Sequence, residues 1–187
     1  MKDTIRRWIL TGLSCPAAAR VLRRLLGDGV FCVMLHRIGE KDPMRLPPNE
    51  DMKVSPAFLE RFIVDAKCKG FTFLSVSQLH AALTGEGPWP SRSLVLALDD
   101  GYRDNLTEGL SLFERHGVPF TIYLSTAFIG SSCVPWWYGL EGLLTSRPAL
   151  LWEGRTWDVR SVPEKSRLFM QIRGQALLAE QGAEAYV

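Results

Sequence analysis

The chain has 187 residues, 47% hydrophobic and 22% charged, which is enough for one ordinary core and no obvious second domain. Lys and Arg number 22 against 20 Asp and Glu, for a formal net charge of +2 with no long basic run, so nothing points to nucleic acid as a partner. The four cysteines, Cys15, Cys32, Cys68 and Cys133, make neither C-x-x-C pairs nor a dense framework, so disulfides are not indicated.

Residues 1–29 open with a basic start and a short apolar stretch, but Thr11, Gly12 and Ser14 dilute it and arginines resume at Arg20, which argues against a signal peptide. Ile5, Trp8, Ile9 and Leu13 recur at helical spacing and predict an amphipathic helix, either packed on its own domain or resting peripherally on a membrane surface. No run approaches the roughly 18 apolar residues that a spanning helix needs. Gly27-Asp28-Gly29 then breaks the pattern, and Val30 to Leu35 reads as a buried strand ending at His36-Arg37, with Cys32 a small buried hydrophobe within it.

Residues 39–53, rich in proline and charge, read as a loop. Ser55-Pro56 offers an N-cap with proline at the first helical position, and Phe58, Leu59, Phe62, Ile63 and Ala66 form the stripe of a helix ending at Gly70. A strand at Phe71 to Leu74, a short helix from Ser77 to Leu83 and a loop lead to the strand Leu94 to Leu98. Beyond it, Leu106, Leu110, Leu112 and Phe113 mark a helix closed by His116-Gly117, and Phe120 to Leu124 is the next strand. His80 and His116 sit in helix-terminal contexts, which suits dipole partners more than chemistry.

Alternating helices and near-continuous apolar strands predict a parallel sheet covered by helices. In the last third, Pro135 to Leu144 suits a helix, and LLWEGRTWDV resembles a hairpin turning at Glu153-Gly154 with Trp152 and Trp157 as partners. A charged helical pattern runs from Pro163 to Tyr186.

The stretch SLVLALDDGYRDN, Ser93 to Asn105, ends an apolar strand in two adjacent carboxylates and a glycine. In parallel α/β folds functional groups gather at the carboxyl ends of strands. Two neighbouring carboxylates beside an apolar strand repel, and a bound cation relieves that repulsion. One carboxylate can then hold the metal while the other takes a proton from water. Two other readings stand beside this one. Asp99 and Asp100 could cap the helix entered through Tyr102 to Asn105, or hold Mg²⁺ as in phosphoryl-accepting domains, although Leu124-Ser125-Thr126 supplies no acidic residue at the next strand end.

The segment VLALDDGYRDN resembles the first motif of the polysaccharide deacetylase family, the NodB-homology type, usually seen as T-F-D-D-G. VMLHRI, VSPAFLERFIVDAKCKGFTFLSVSQLHAAL, GVPFTIYLSTAFIG and WWYGLE agree with it, and the likeness covers roughly residues 30–160. Leu98 and Ala97 replace the motif's aromatic and threonine. The resemblance implies a distorted (β/α) barrel and metal-dependent removal of N- or O-acetyl groups from a polysaccharide or a lipid-linked glycan precursor. It implies Asp99 as general base, Asp100 as a ligand of a divalent metal, usually zinc, and His36 and Tyr102 as substrate-contacting residues of the site wall. His36 reads equally as a hydrogen bonder near its strand end.

The family's H-[ST]-x-x-H ligands have no counterpart, since no histidine follows His116. The expectation is therefore an incomplete barrel: the N-terminal part of a deacetylase over residues 30–187, with an insertion from about 149 and no activity on its own. The alternative is a noncatalytic glycan-binding half-domain using Trp89, Trp136, Trp137 and Tyr138 as stacking surfaces. The lack of a convincing signal peptide favours a cytoplasmic location, at the inner membrane face.

Overall fold

The computed structural model describes residues 29–131 and 135–178. The expected N-terminal helix, Cys15 and Cys133 lie outside the described residues. Strand β1, Val30–Leu35, runs parallel to the central strand β5, Ser93–Asp99, with Val30 opposite Ser93 and Leu35 opposite Leu98. The other side of β5 is shared. Strand β4, Thr72–Leu74, pairs with residues 93–95, and β6, Phe120–Tyr123, pairs with residues 96–99, both in parallel. The expected parallel α/β alternation is present, as a four-stranded open sheet among the described residues.

Helix α2, Pro56–Cys68, starts as the sequence predicts: Ser55 is the N-cap, its hydroxyl accepting from the Phe58 amide, and Pro56 opens the first turn. It buries Leu59, Ile63 and Ala66 against the sheet and leaves Phe58 exposed. Helix α3, Val76–Leu83, carries a full capping box between Ser75 and Gln78. The central strand presents Leu94, Leu96 and Leu98 to this core, where they meet Ile38, Ile63 and Phe113. Each such side chain, fully buried, contributes about 1.5–3 kcal/mol.

Strand β1 departs from its expected burial. Among the described residues it pairs on one side only, and Phe31, Cys32 and Met34 are exposed. Hydropathy reports that a strand is apolar and not whether another strand covers its far side, so Cys32 is a surface thiol rather than a buried hydrophobe. Phe31, Phe58 and Phe71 line an apolar groove of about 410 Å³ on this flank.

The stretch expected as a plain loop, residues 39–53, instead holds a short helix α1, Pro47–Glu50, and a strand β3, Lys53–Val54, parallel to β2, Arg37–Ile38. Asn49 and Glu50 are buried there despite their polarity. Glu50 Oε2 accepts from Lys53 Nζ at 2.6 Å and from the Asp42 amide at 2.7 Å, which offsets part of the cost of burial, while Oε1 is buried without a hydrogen-bond partner among the described residues.

After β5 the chain makes one π-helical turn, Asn105–Gly109, before helix α4, Leu110–Arg115. Leu112 and Phe113 face the core as expected, whereas Leu106 points to solvent. The wide turn brings Gly109 against Ile38: a Cβ there would lie 2.6 Å from Ile38 Cδ1. His116 caps α4, with Nε2 3.0 Å from Glu60 Oε1.

A second core lies under helix α5, Trp136–Thr145, the hairpin β7, Ala149–Trp152, with β8, Arg155–Asp158, and helix α6, Val162–Leu178. The hairpin turns at Glu153-Gly154, both with positive φ of 50° and 72°, as a tight primed turn requires. Its register differs from expectation: Trp157 faces Leu150 and Trp152 faces Arg155, so the two indoles are diagonal neighbours. A two-residue turn dictates that offset. Helix α6 buries Leu168, Phe169, Ile172 and Ala176, and the first three join Leu46, Leu144 and Val159 in this core.

Candidate functional site

Strand β5 delivers its two carboxylates at its carboxyl end, and the backbone reverses there at once. Asp100 and Gly101 both have a φ of 71°. Glycine takes that conformation freely, and a Cβ at Gly101 would fall 2.3 Å from Leu124 Cδ2. Asp100 holds the left-handed form at some cost, of about 1–2 kcal/mol for a non-glycine residue. The reversal turns the Asp100 side chain into a cleft and lets its Oδ1 accept from Ser125 Oγ at 3.2 Å, just past the end of β6. The capping alternative is not what is seen: the helix that follows receives no side-chain cap, and the bond from Ser125 comes from another strand's end.

The cleft has a volume of about 380 Å³. His36 enters it from the end of β1, Asp100 from the end of β5, Trp136 and Trp137 from α5, and Phe169 and Arg173 from α6. His36 and Asp100 are thus brought together as the sequence suggested, at the carboxyl ends of adjacent parallel strands. Asp99 is not brought in. It stands one residue back, half-buried opposite Tyr123, and its carboxylate has no hydrogen-bond or ion-pair partner among the described residues.

Tyr102 lies beside the cleft and braces its wall. Its hydroxyl accepts from Trp137 Nε1 at 3.2 Å, its ring is 6.4 Å edge-on from that of Tyr138, and the Arg37 guanidinium sits 5.0 Å over its face. Burial, followed by hydrogen bonding to Tyr138, pushes the Tyr102 phenol well above its usual range, so it stays protonated.

The motif's last two residues, Asp104 and Asn105, tie the strand ends together. Arg37 Nε donates to Asp104 Oδ2 at 2.8 Å and Arg37 Nη1 donates to the Tyr138 hydroxyl at 2.9 Å. Burial alone would lower the Arg37 guanidinium, but the bond and charge of Asp104 outweigh it and hold the group above its ordinary value. Asn105, only 1% exposed, donates from Nδ2 to the His36 carbonyl at 2.9 Å. These bonds hold His36 and the carboxylate turn in a common frame. Sequence reasoning passed over Arg37, Asp104 and Asn105. The only signal available was the continuation of the acidic motif into a second polar pair.

The wall carrying the tryptophans hangs on Glu141. This carboxylate is 6% exposed and accepts from Arg45 Nη2 at 2.8 Å, the Leu46 amide at 2.9 Å and Asn49 Nδ2 at 2.6 Å. Burial alone would raise its pKa, but the bonds from Arg45, Leu46 and Asn49 outweigh it and hold the carboxyl below the usual carboxylate range. Of the expected stacking aromatics, Trp136 and Trp137 line the cleft, Tyr138 bonds to Arg37, and Trp89 lies exposed on a distant loop. Trp136 is half-buried and stacks on Phe169 at 6.5 Å.

The donors present do not make up a metal site by themselves. Among the described residues no group of three or more His, Cys, Asp or Glu converges, and a catalytic zinc takes three protein ligands. Asp100 and His36 share the cleft and by themselves fall one ligand short of such a site. No described helix is long and apolar enough to cross a membrane.

No family profile matches the sequence, and no curated protein matches it. Solved structures similar to it include the deacetylase PplD of Streptococcus pyogenes, at 20% identity over 57% of this chain and 47% of that chain, with a TM-score of 0.46. IcaB of Ammonifex degensii is similar at 16% identity over 64% of this chain and 50% of that one, with a TM-score of 0.49. A de-N-acetylase of Aggregatibacter actinomycetemcomitans is similar at 15% identity over 76% and 50%, with a TM-score of 0.47. The chain spans about half the length of these structures, and the likeness to them is one of partial fold.

Proposed function

We propose that the cleft is the sugar-binding and part of the acetyl-hydrolysing site of a deacetylase acting on an acetylated glycan. The observation that carries this reading is the meeting of Asp100, held in a left-handed turn at the end of β5, with His36 from the end of β1 in a cleft walled by Trp136. An indole offers the flat apolar face that a sugar ring covers, and a strained polar residue at a strand end marks a position kept for chemistry. In this proposal water attacks the acetyl carbonyl carbon and its proton passes to Asp99; the bond to the sugar nitrogen or oxygen then breaks as that atom takes up a proton, leaving acetate and a free amine or hydroxyl. The role of Asp99 rests on the motif. A divalent metal remains part of the proposal, with Asp100 as one ligand.

A second reading, glycan binding without hydrolysis, is favoured by there being no third converging donor among the described residues. One experiment addresses both. The chain is titrated with an N-acetylglucosamine tetramer while tryptophan fluorescence is followed, and acetate is assayed in the same samples. Binding that weakens in Trp136→Ala supports the cleft, and acetate release lost in Asp99→Asn supports the catalytic role. Binding with no release favours the second reading, and no binding at all overturns both.

A further inference from the structure

Helix α6 presents Phe169, Arg173 and Leu177 to the cleft, spaced four residues apart and therefore stacked along one helix face. Phe169 is buried against Trp136, so the guanidinium of Arg173 follows directly after the aromatic wall. It has no hydrogen-bond or ion-pair partner among the described residues. The acids of the same cleft are engaged elsewhere: Asp51 pairs with Lys41, and Asp100 accepts from Ser125.

We propose that Arg173 is a specificity-determining residue that binds an anionic group, a carboxylate or a phosphate, on the glycan held in this cleft. This rests on the reading of the cleft as a glycan site. A guanidinium is planar, permanently charged and weakly hydrated, and its fork of donors matches the two oxygens of either anion. Beside an indole that covers a sugar ring, it selects a charged sugar over a neutral one. The competing role is that the Arg173 stem merely covers the apolar stripe while its charge stays in water.

Methionine at position 173 keeps the stem and removes the charge, which separates these roles. The full chain and Arg173→Met are titrated with three probes: the neutral N-acetylglucosamine tetramer, a hyaluronan tetrasaccharide carrying carboxylates, and N-acetylglucosamine 1-phosphate. The expected result is that one anionic probe binds about tenfold or more tighter than the neutral tetramer, as charge-assisted bonds allow. Arg173→Met should abolish that preference, read as the ratio of anionic to neutral affinity within each variant, while Arg173→Lys retains part of it.

A preference for hyaluronan assigns the anion to a carboxylate on the glycan, and a preference for the sugar phosphate assigns it to a phosphate. Equal binding of all three probes, unaltered in Arg173→Met, overturns the role of Arg173 and leaves the glycan reading standing. No binding of any probe overturns both.

Discussion

The two cores of the molecule are assembled on different principles, and the cleft lies where they meet. The sheet core grows from contiguous apolar runs: Leu94, Leu96 and Leu98 follow one another on a single strand, and α2 adds Leu59 and Ile63 at helical spacing. The second core collects Leu46 from a loop, Leu144 from α5, Val159 from beyond the hairpin and Leu168 from α6, and it is pinned by one buried carboxylate, Glu141. The first supplies the acid and imidazole of the cleft, the second its aromatic and cationic wall. The carboxylate of the cleft thus comes from a local motif on a stiff strand, whereas its aromatic wall depends on long-range polar bonds.

The largest test of that contrast is Glu141→Ala. It strands the Arg45 guanidinium, the Leu46 amide and the Asn49 amide around a buried gap, at an expected cost of about 3–5 kcal/mol in urea unfolding. A loss below about 1 kcal/mol would show that apolar packing alone holds the second core. The same carboxylate sets a pH dependence. Its folded pKa is depressed, so its contribution is complete above the ordinary carboxylate range and is lost as pH falls through the lowered folded value. Between about pH 5 and pH 3 the wild type should therefore lose more stability than Glu141→Gln.

Of intermediate size is one substitution made in both regions. Gly109→Ala places a methyl 2.6 Å from Ile38 Cδ1 and 3.2 Å from Phe113 Cε2, two side chains that are fully buried and cannot withdraw. Overpacking of this kind should cost about 1–3 kcal/mol. Gly139→Ala in α5 meets nothing within 4 Å and replaces an exposed helical glycine, so it should stabilise by about 0.5–1 kcal/mol. Thermal unfolding of the two variants reads both signs, and equal signs would break the distinction.

The smallest effect is expected at Asp100→Gly. Glycine relieves the left-handed strain while losing the bond to Ser125, and the two offset to within about 1 kcal/mol. Ligand binding in the cleft should weaken all the same. A large loss of stability would instead make Asp100 a structural residue.

Much of the sheet region could be read in advance because its signals are local. Ser55-Pro56 starts α2, Glu153-Gly154 turns the hairpin, and the apolar run into Asp99 and Asp100 is the central strand with its acidic end. The exposed side of β1 was not legible, because an edge strand and a central one can share a composition. Nor was the burial of Glu50 and Glu141, whose partners lie in other elements or are reached only by folding.

The sequence by itself determined where strands and helices alternate, and that a pair of carboxylates would stand at a strand end beside a glycine. Periodicity, capping and turn chemistry act over a few residues and need nothing distant. Only the tertiary structure decided that Asp100 and not Asp99 faces the cleft, that His36 joins it, and that Trp136 and Arg173 form the opposite wall. Those placements depend on a left-handed turn, a parallel register and a buried network spanning up to 96 positions of chain, and no local pattern encodes contacts of that range.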